Sequence, residues 1–244
     1  MKKILITGSK GRIGRDLKEF LSRDYKIIEF EKKDKISGIF LKKVDAIIHL
    51  ASLTPKKSKE FSLRKYIQAN AGLTKKILFY ASKHKIKTVI IPMTWSWMFV
   101  VGDYQYSKLL QEKIASEYKK LGLNVIILEF PEVINNNYNG VIKFIIKNII
   151  SNRITRVDNV KIRIITTRNI SDICKEFIEG NDIKAEKLYE KSIKTLNLYT
   201  YIEGLIKKDF PDKLKYLKKG KTKLRSPIIH KNKTITFPDF EINE

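Results

Sequence analysis

The chain has 244 residues, enough for one α/β domain with a small appendage. Hydrophobic residues make up 43% of it, so it can bury a core and is not intrinsically disordered. It holds one cysteine, Cys174, which excludes a disulfide framework and suits a reducing compartment. Because no secretory signal opens the chain and no apolar run is long enough to span a membrane, the sequence predicts a cytoplasmic protein without membrane contact.

The formal net charge is +24, which could indicate affinity for nucleic acid, for an acidic membrane or for an anionic ligand. Lysine is spread along the whole chain, however, together with much Ile and Asn, as in the products of AT-rich genomes. The sequence therefore argues against a nucleic-acid partner. The charge is explained by compositional bias, with some benefit to an anionic nucleotide. No cluster of Cys, His and Asp has the spacing of metal ligands.

Strands and helices alternate along the first 130 residues. Short β-branched runs predict strands, and apolar residues at helical spacing predict helices. The predicted elements are strand 3–7, helix 13–22, strand 25–30, strand 44–50, helix 63–83, strand 88–91, helix 106–120 and strand 124–128. Such alternation indicates βαβ units with right-handed crossovers, and hence an α/β fold with a doubly wound parallel sheet of the Rossmann type.

The pattern changes after Pro131. A loop over 135–140 precedes a helix over 141–150, a strand over 161–166 and a helix over 171–179. We therefore predict a Rossmann domain over residues 1–130 and a small substrate-binding lobe over 131–244 that returns elements to the sheet. The tail from Lys218 is basic and interrupted by prolines, and the sequence suggests no role for it.

A glycine-rich loop lies between the first strand and the first helix. Gly8, Gly11 and Gly14 have GxxGxxG spacing, with Arg12 and Ile13 between the last two. The first glycine permits a tight turn, the second lets a pyrophosphate approach the backbone, and the third lets helix and strand pack closely. Because the helix N-terminus then offers free N–H groups to the phosphates, the loop predicts a dinucleotide site.

An acidic residue about 20 positions downstream should bind the ribose hydroxyls. Glu31, at the end of the second strand, is the better candidate, and Glu29 is the other. An acid here favours NAD because it repels a 2′-phosphate, whereas several basic residues nearby favour NADP. Those basic residues are Lys10, Arg12, Lys32 and Lys33. The cofactor is predicted to be NAD or NADP, with a slight preference for NAD.

Tyr104 and Lys108 are four residues apart, which puts them on one face of a helix. The ordinary pKa of tyrosine is near ~10, and a cation one turn away stabilises the phenolate. The pair therefore has the composition of a general acid–base, although in so lysine-rich a chain it could also be a chance surface pair.

With these motifs the chain resembles the extended short-chain dehydrogenase/reductase family, the group of nucleotide-sugar epimerases, dehydratases and 4-ketoreductases. Five features match in order: the glycine loop, the strand-end segment His49–Ser52, the helix residue Asn70, the Tyr104–Lys108 pair, and the segment Arg163–Asp172. Together they span residues 4 to about 180.

The resemblance implies roles for these residues. Tyr104 would exchange a proton with a sugar hydroxyl or ketone, and Lys108 would hold the nicotinamide ribose and lower the pKa of the tyrosine. Thr94 would supply the third catalytic hydroxyl, with Ser96 as the reserve and as a substrate contact. The remaining cofactor contacts implied are Leu50, Ala51, Ser52, Asn70 and Pro131. Arg163 would hold the diphosphate of the substrate, which suits guanidinium geometry.

The resemblance also limits the reaction. Trp95 and Ser96 stand where dehydratases carry an Asp–Glu pair, which argues against dehydration. We therefore predict an NAD(P)-dependent epimerase or 4-ketoreductase acting on a nucleotide-activated sugar for polysaccharide synthesis, and a possible homodimer. The alternative is a non-catalytic NAD(P)-binding regulator or scaffold, suggested by the unusual Pro92-Met93-Thr94 segment. His49 is interpreted as a packed histidine lining the cofactor pocket rather than as a catalytic group.

Overall fold

The computed structural model describes residues 1–30, 44–55, 61–94, 102–135 and 140–220. Its central strands are β1 (Lys3–Thr7), β2 (Lys26–Phe30), β3 (Ala46–His49), β4 (Thr88–Thr94) and β5 (Val125–Phe130). They form a five-stranded sheet in the order β2-β1-β3-β4-β5, and every pairing in it is parallel. The prediction of an α/β fold with a parallel Rossmann sheet is confirmed.

Helices cover both faces of this sheet. α1 (Arg12–Leu21) connects β1 to β2. A long helix before β4 has three consecutive segments, and α4 (Asp103–Lys120) precedes β5. The three segments are α2 (Leu63–Ile67), a π-helical segment (Gln68–Gly72) and α3 (Leu73–Lys83).

The inner strands β1, β3 and β4 are buried on both faces, which explains why they are nearly continuous apolar runs rather than alternating ones. On one face, Ile4, Ile6 and Ile48 pack against Leu17 and Leu21 of α1. The opposite face packs under the long helix and α4; it includes Leu5, Ile47, Val89, Ile91, Ile77, Leu78 and Ala115.

Beyond the central sheet, the chain forms two small sheets and further helices. These elements are β6 (Glu132–Ile134), α5 (Gly140–Ile150), β7 (Thr155–Val157), β8 (Lys161–Thr166), α6 (Thr167–Glu179), α7 (Asp182–Ser192), β9 (Lys194–Asn197), α8 (Leu198–Asp209), a 3₁₀ helix (Pro211–Tyr216) and β10 (Leu217–Lys219). The orders are β6-β8-β9 and β7-β10. Ile170, Ile173 and Phe177 of α6 pack into the α1 side of the central sheet. α5, α8 and the strands beside them build a core of their own.

The elements predicted up to residue 179 are all present. Two of the differences in bounds concern the site: α4 begins at Asp103 rather than at 106, and β4 continues to Thr94 rather than ending at 91. The earlier helix start places Tyr104 in the first turn of α4. The helices and short strands after residue 180 were not predicted.

The strand order positions a ligand crevice. The chain passes from β2 across β1 to β3, so the order reverses between β1 and β3. In open α/β sheets, ligands bind at such a switch point, outside the carboxyl ends of the strands. The glycine loop follows β1 and the His49–Ser52 segment begins at the end of β3, so both lie at this edge. Within the described ranges, no helix is long and apolar enough to cross a bilayer.

Candidate active site

The glycine loop holds α1 against the end of β1. Gly8 has φ +72°, and a Cβ on it would lie 2.8 Å from the Ala51 nitrogen. The Gly11 amide donates to the Gly8 oxygen at 2.9 Å, which closes the turn. A Cβ on Gly14 would lie 2.2 Å from the Gly8 oxygen. Both positions therefore require glycine, Gly8 for its left-handed backbone and Gly14 for close packing.

The N-terminus of α1 has the properties of an anion site. Gly11 is its N-cap, and no side chain in the described part of the protein caps it. Its first turn holds no acidic residue but includes Arg12, which is exposed, and Ile13, which is half-buried. The first N–H groups of this helix therefore lack a protein acceptor, and the helix dipole favours negative charge there.

Glu29 is the acid that contacts the glycine loop. Its carboxylate accepts a hydrogen bond from Ser9 Oγ at 2.7 Å and forms a close ion pair with Lys18 of α1. The hydrogen bonds from Lys18 and then Ser9 lower the pKa of Glu29, so it is negatively charged at neutral pH. Glu31, the better candidate in the sequence, lies outside the described residues. A ribose would have to share the Glu29 carboxylate with its two present partners.

Asn70 connects the segment after β3 to α4. It is completely buried in the π-helical segment. Its Oδ1 accepts from the Leu53 amide at 2.7 Å and from Ser52 Oγ at 3.1 Å. Its Nδ2 donates to the Leu53 oxygen at 3.2 Å and to Ser107 Oγ at 2.9 Å. The asparagine thereby fixes Ser52 relative to the helix that carries Tyr104.

Tyr104 is half-buried beside Ser52 and an aromatic neighbour. Its ring meets that of Tyr66 edge-on, with centroids 5.7 Å apart. Its carbonyl accepts a hydrogen bond from Ser107 Oγ at 2.7 Å. Burial raises the pKa of Tyr104, a hydrogen bond with Ser52 opposes that rise, and Tyr66 adds to it. In this arrangement the phenol is protonated at neutral pH and can act as a proton donor.

Lys108 is a buried cation in the next turn of the same helix. Its side chain is only 3% exposed, and burial lowers the pKa of its ammonium to about 8. Nζ donates to Gln111 Oε1 through a short hydrogen bond. An ammonium has three N–H donors, and Gln111 is its one acceptor among the described residues. The other two donors have no acceptor among the described residues.

His49 belongs to a buried network of polar side chains. Its Nδ1 lies 2.7 Å from Thr7 Oγ1, and its Nε2 lies 2.9 Å from Thr74 Oγ1. Burial, aided by the charge of Lys108, lowers the pKa of His49 to about 3, so the ring is neutral. Gln111 Nε2 donates to Thr74 Oγ1 at 2.8 Å, which joins the histidine to Lys108.

Several of the residues predicted for the site are brought together. One connected group contains Ser52, Asn70, Tyr104 and Lys108. It reaches the glycine loop through Ala51, whose amide donates to Thr7 Oγ1 at 3.1 Å directly before that loop. The Leu50 amide donates to the Thr7 oxygen at 3.1 Å. These contacts show proximity, whereas the cofactor and catalytic roles of the residues stay predictions.

Other predicted residues lie apart or outside the description. Thr94 ends β4, with its backbone opposite Phe130, while its side chain and all of Ser96 lie outside the described part of the chain. Pro131 is buried directly after β5. Arg163 is exposed on β8, where its charge acts on Tyr189 of α7. None of the described contacts joins Arg163 to Tyr104.

Sequence reasoning missed three residues that complete the group, namely Thr74, Ser107 and Gln111. A signal for them exists, because positions 104, 107, 108 and 111 follow the i, i+3, i+4, i+7 spacing of one helix face. This stripe is polar, yet Ser107, Lys108 and Gln111 are buried. Thr74 likewise stands one turn after Asn70, and its hydroxyl donates to the Asn70 oxygen at 2.8 Å.

Comparison with solved structures shows the same fold in enzymes that were solved with NAD. The chain is similar to WbmH of Bordetella bronchiseptica, solved with NAD+, at 16% identity over 74% of this chain and 73% of that one, with a TM-score of 0.61. It is also similar to the UDP-glucuronic acid 4-epimerase of Bacillus cereus, solved with UDP-glucuronic acid and NAD. The identity is 16% over 72% of this chain and 73% of that one, with a TM-score of 0.61. This chain has the fold of those enzymes.

A further neighbour is TunA, a NAD-dependent NDP-hexosamine 5,6-dehydratase of tunicamycin biosynthesis. It shares 14% identity over 91% of this chain and 84% of its own, with a TM-score of 0.68. No protein-family model matches the sequence, and no curated protein matches it. Among the described residues, no group of three or more His, Cys, Asp or Glu side chains could hold a metal ion.

Proposed function

We propose that the protein is an NAD-dependent enzyme of the extended short-chain dehydrogenase/reductase family that modifies a nucleotide-activated sugar. The observation that carries this proposal is the buried Lys108 ammonium one helical turn from Tyr104, with two N–H donors left for a ligand. The family resemblance in the sequence and the NAD-bound structural neighbours support it.

The residues at the carboxyl edge of the sheet fit a dinucleotide. The uncapped start of α1 would receive the pyrophosphate, and Lys108 would receive ribose hydroxyls. Bound NAD would supply a hydride acceptor for epimerisation, and its reduced form, NADH, would supply the hydride for 4-keto reduction. The negative charge of Glu29 favours NAD over NADP, because it would repel a 2′-phosphate. Leu50, Ala51 and Ser52 would line the dinucleotide between these two ends.

Tyr104 would move the proton of the reaction. Its pKa is raised by burial, so the resting phenol carries the proton and can give it to a developing sugar oxyanion. In the reverse direction it would accept the proton of a sugar hydroxyl, helped by the positive charge of Lys108. Thr94 would donate a hydrogen bond to the same oxygen.

The neighbours support this substrate class, because several of them were solved with UDP-glucuronic acid or UDP-glucose. We propose that residues 1–130 bind the cofactor and that residues 131–244 bind the sugar nucleotide, with Arg163 on its diphosphate. Epimerisation or 4-keto reduction is the proposed reaction, because Trp95 and Ser96 replace the acidic pair of dehydratases. TunA makes dehydration the second candidate, since it matches more of this chain.

A panel of UDP- and dTDP-sugars incubated with the protein and NAD, together with their 4-keto derivatives incubated with the protein and NADH, tests the reaction by mass spectrometry and NMR. We expect Tyr104→Phe to lower turnover by about 10²–10⁴-fold while NAD still binds. Tyr118→Phe, on the same helix but half-buried against the hydrophobic core, is the matched control and should keep turnover. Unchanged turnover in Tyr104→Phe would contradict the role of the phenol.

The same panel separates the alternatives. A product lighter by one water would indicate dehydration in place of epimerisation. NAD binding without turnover of any sugar nucleotide would favour the regulator or scaffold.

A further inference from the structure

The buried polar group around Lys108 has only one consistent arrangement of protons. The Thr74 hydroxyl has a single proton, which it donates to the Asn70 oxygen. Its two lone pairs must then accept from the other neighbours, His49 Nε2 at 2.9 Å and Gln111 Nε2 at 2.8 Å. Thr74 is thereby fully satisfied.

The same count of donors and acceptors determines the tautomer of His49. Because Nε2 of His49 donates to Thr74, the neutral ring carries its proton there, and Nδ1 accepts from Thr7 Oγ1. Thr7 Oγ1 in turn accepts the Ala51 amide. Every described member of this chain of hydrogen bonds therefore has one direction of donation.

Gln111 is oriented by this arrangement. Its NH₂ group faces Thr74, so its oxygen must face Lys108, which is the polarity that an ammonium needs. Gln111 is 1% exposed and Thr74 is completely buried, so water cannot replace either partner. Along one face of the helix, Tyr104 precedes Lys108 by one turn and Gln111 follows it by one turn.

We propose that Gln111 is a positioning residue that sets the location and the proton affinity of the Lys108 ammonium, and that Thr74 and His49 fix the direction of the Gln111 amide. The importance of Gln111 for catalysis rests on the proposed function, but the effect of Gln111 on Lys108 is present in the protein without ligand. The amide supplies an acceptor without a charge, so it holds the cation while leaving it ready to release its proton.

The groups facing Lys108 make this effect measurable. Among the described residues, the Gln111 amide bonds the ammonium directly and His49 on β3 is close enough to feel its charge, and neither the neutral amide nor the neutral ring balances that charge. Burial is the cause of the lowered pKa of Lys108 in the described structure, with no contribution from a carboxylate. A charge placed at position 111 would therefore act on Lys108 directly.

The first test follows Lys108 itself in protein without ligand, by pH titration of its ¹³Cε signal, which is assigned from its absence in Lys108→Met. Gln111→Glu keeps the shape of the side chain and should raise the Lys108 pKa by about one unit or more. Gln111→Leu should lower it. Gln105→Leu, a buried amide on the same helix without a hydrogen bond to Lys108 among the described residues, is the control and should leave it unchanged.

A second readout keeps the inference testable if Gln111→Leu does not fold. The ¹⁵N spectrum of the three histidines should show His49 as the neutral Nε2–H form in the native protein. Gln111→Leu or Gln111→Glu should shift that signal, and Gln105→Leu should not. A Lys108 pKa that is equal in the native protein and in Gln111→Glu overturns the inference, and so does an Nδ1–H form of His49.

The third readout connects the inference to the cofactor. NAD should bind about 10- to 100-fold more weakly to Gln111→Leu, because the ammonium loses a charged hydrogen bond that holds it in place. If the Lys108 pKa responds as expected but the native protein binds no NAD, the proposed function fails and the positioning of Lys108 stands. If NAD binds equally to both proteins and the pKa is unmoved, the role of Gln111 fails and the proposed function stands.

Discussion

The role proposed for Lys108 opposes the stability of the fold. The folded protein buries an ammonium with one neutral acceptor, and burial lowers its pKa from 10.5 to about 8. Burying an incompletely paired charge destabilises a protein, and replacing it by an apolar side chain of similar size is often stabilising. A residue retained under such a penalty fits a binding or catalytic role better than a structural one.

This opposition predicts a stable but inactive variant, Lys108→Met. The folded protein holds the lysine proton less tightly than the unfolded chain does, so the penalty is fully present below about pH 8 and disappears as the pH rises toward 10.5. We expect the variant to be more stable than the native protein by about 1–3 kcal/mol at pH 7. The difference should shrink by pH 9.5 in urea unfolding curves.

The exposed Lys120→Met, on the same helix, is the control and should change stability little at either pH. A Lys108→Met variant that is less stable than the native protein at pH 7 would show that the ammonium is better paired than its described contacts indicate.

At the scale of elements, the long helix before β4 shows what the sequence could and could not predict. Its apolar spacing predicted one helix over 63–83, and the structure has a continuous helix there. The π-helical segment at its middle was not predicted, because one extra residue per turn over five residues hardly changes a pattern of apolar positions. That segment carries Asn70, whose side chain connects Ser52 to Ser107.

The pattern of apolar positions also explains why three residues of the site were missed. Polar side chains on a helix are normally assigned to the solvent side, whereas Thr74, Ser107 and Gln111 face inward and satisfy one another. Sequence spacing alone could place Tyr104 and Lys108 on one face. Only the approach of β3 and α3 shows which neighbours share their hydrogen bonds.

Alanine substitutions at two helical glycines should have opposite effects on stability. Gly14→Ala should destabilise the fold by about 3 kcal/mol or more, because its Cβ would lie 2.2 Å from the Gly8 oxygen and would push α1 off β1. Gly204→Ala, in α8 with no atom within 4 Å of the added Cβ, should instead stabilise by about 0.5–1 kcal/mol. Urea unfolding of both variants checks the pair, and similar midpoints would contradict this account of the glycine loop.

At the scale of the whole molecule, part of the chain after residue 130 packs onto the central sheet. α6 covers the α1 side of the sheet, and Lys2 and Tyr25 both bond Glu179 at its end. The sequence predicted that later elements return to the sheet, and the helix predicted over 171–179 is the one that packs there. The strands β6, β7, β9 and β10, of three or four residues, were beyond sequence reasoning because so short a run carries no periodicity and pairs with distant partners.

This packing predicts one cooperative unit for the sheet and α6. Ile173→Ala should destabilise by about 2–5 kcal/mol, because a completely buried side chain leaves a cavity against the sheet. Ile183→Ala, at a side chain that is 72% exposed, is the control and should change stability by less than about 0.5 kcal/mol. Hydrogen exchange should show β1 and β3 losing protection together with α6 in Ile173→Ala. Unchanged protection in β1 would contradict the shared core.

The most direct measurement is a calorimetric titration of NAD into protein freed of nucleotide, alongside Gly11→Ala, whose Cβ would lie 3.0 Å from the Gly8 oxygen on the side of the uncapped helix start. We predict one site per chain in the native protein and at least about tenfold weaker binding in the variant, with Gly204→Ala unaffected. Folded native protein that takes up no NAD at millimolar concentration, or a variant that binds it equally well, would contradict a dinucleotide site at the glycine loop.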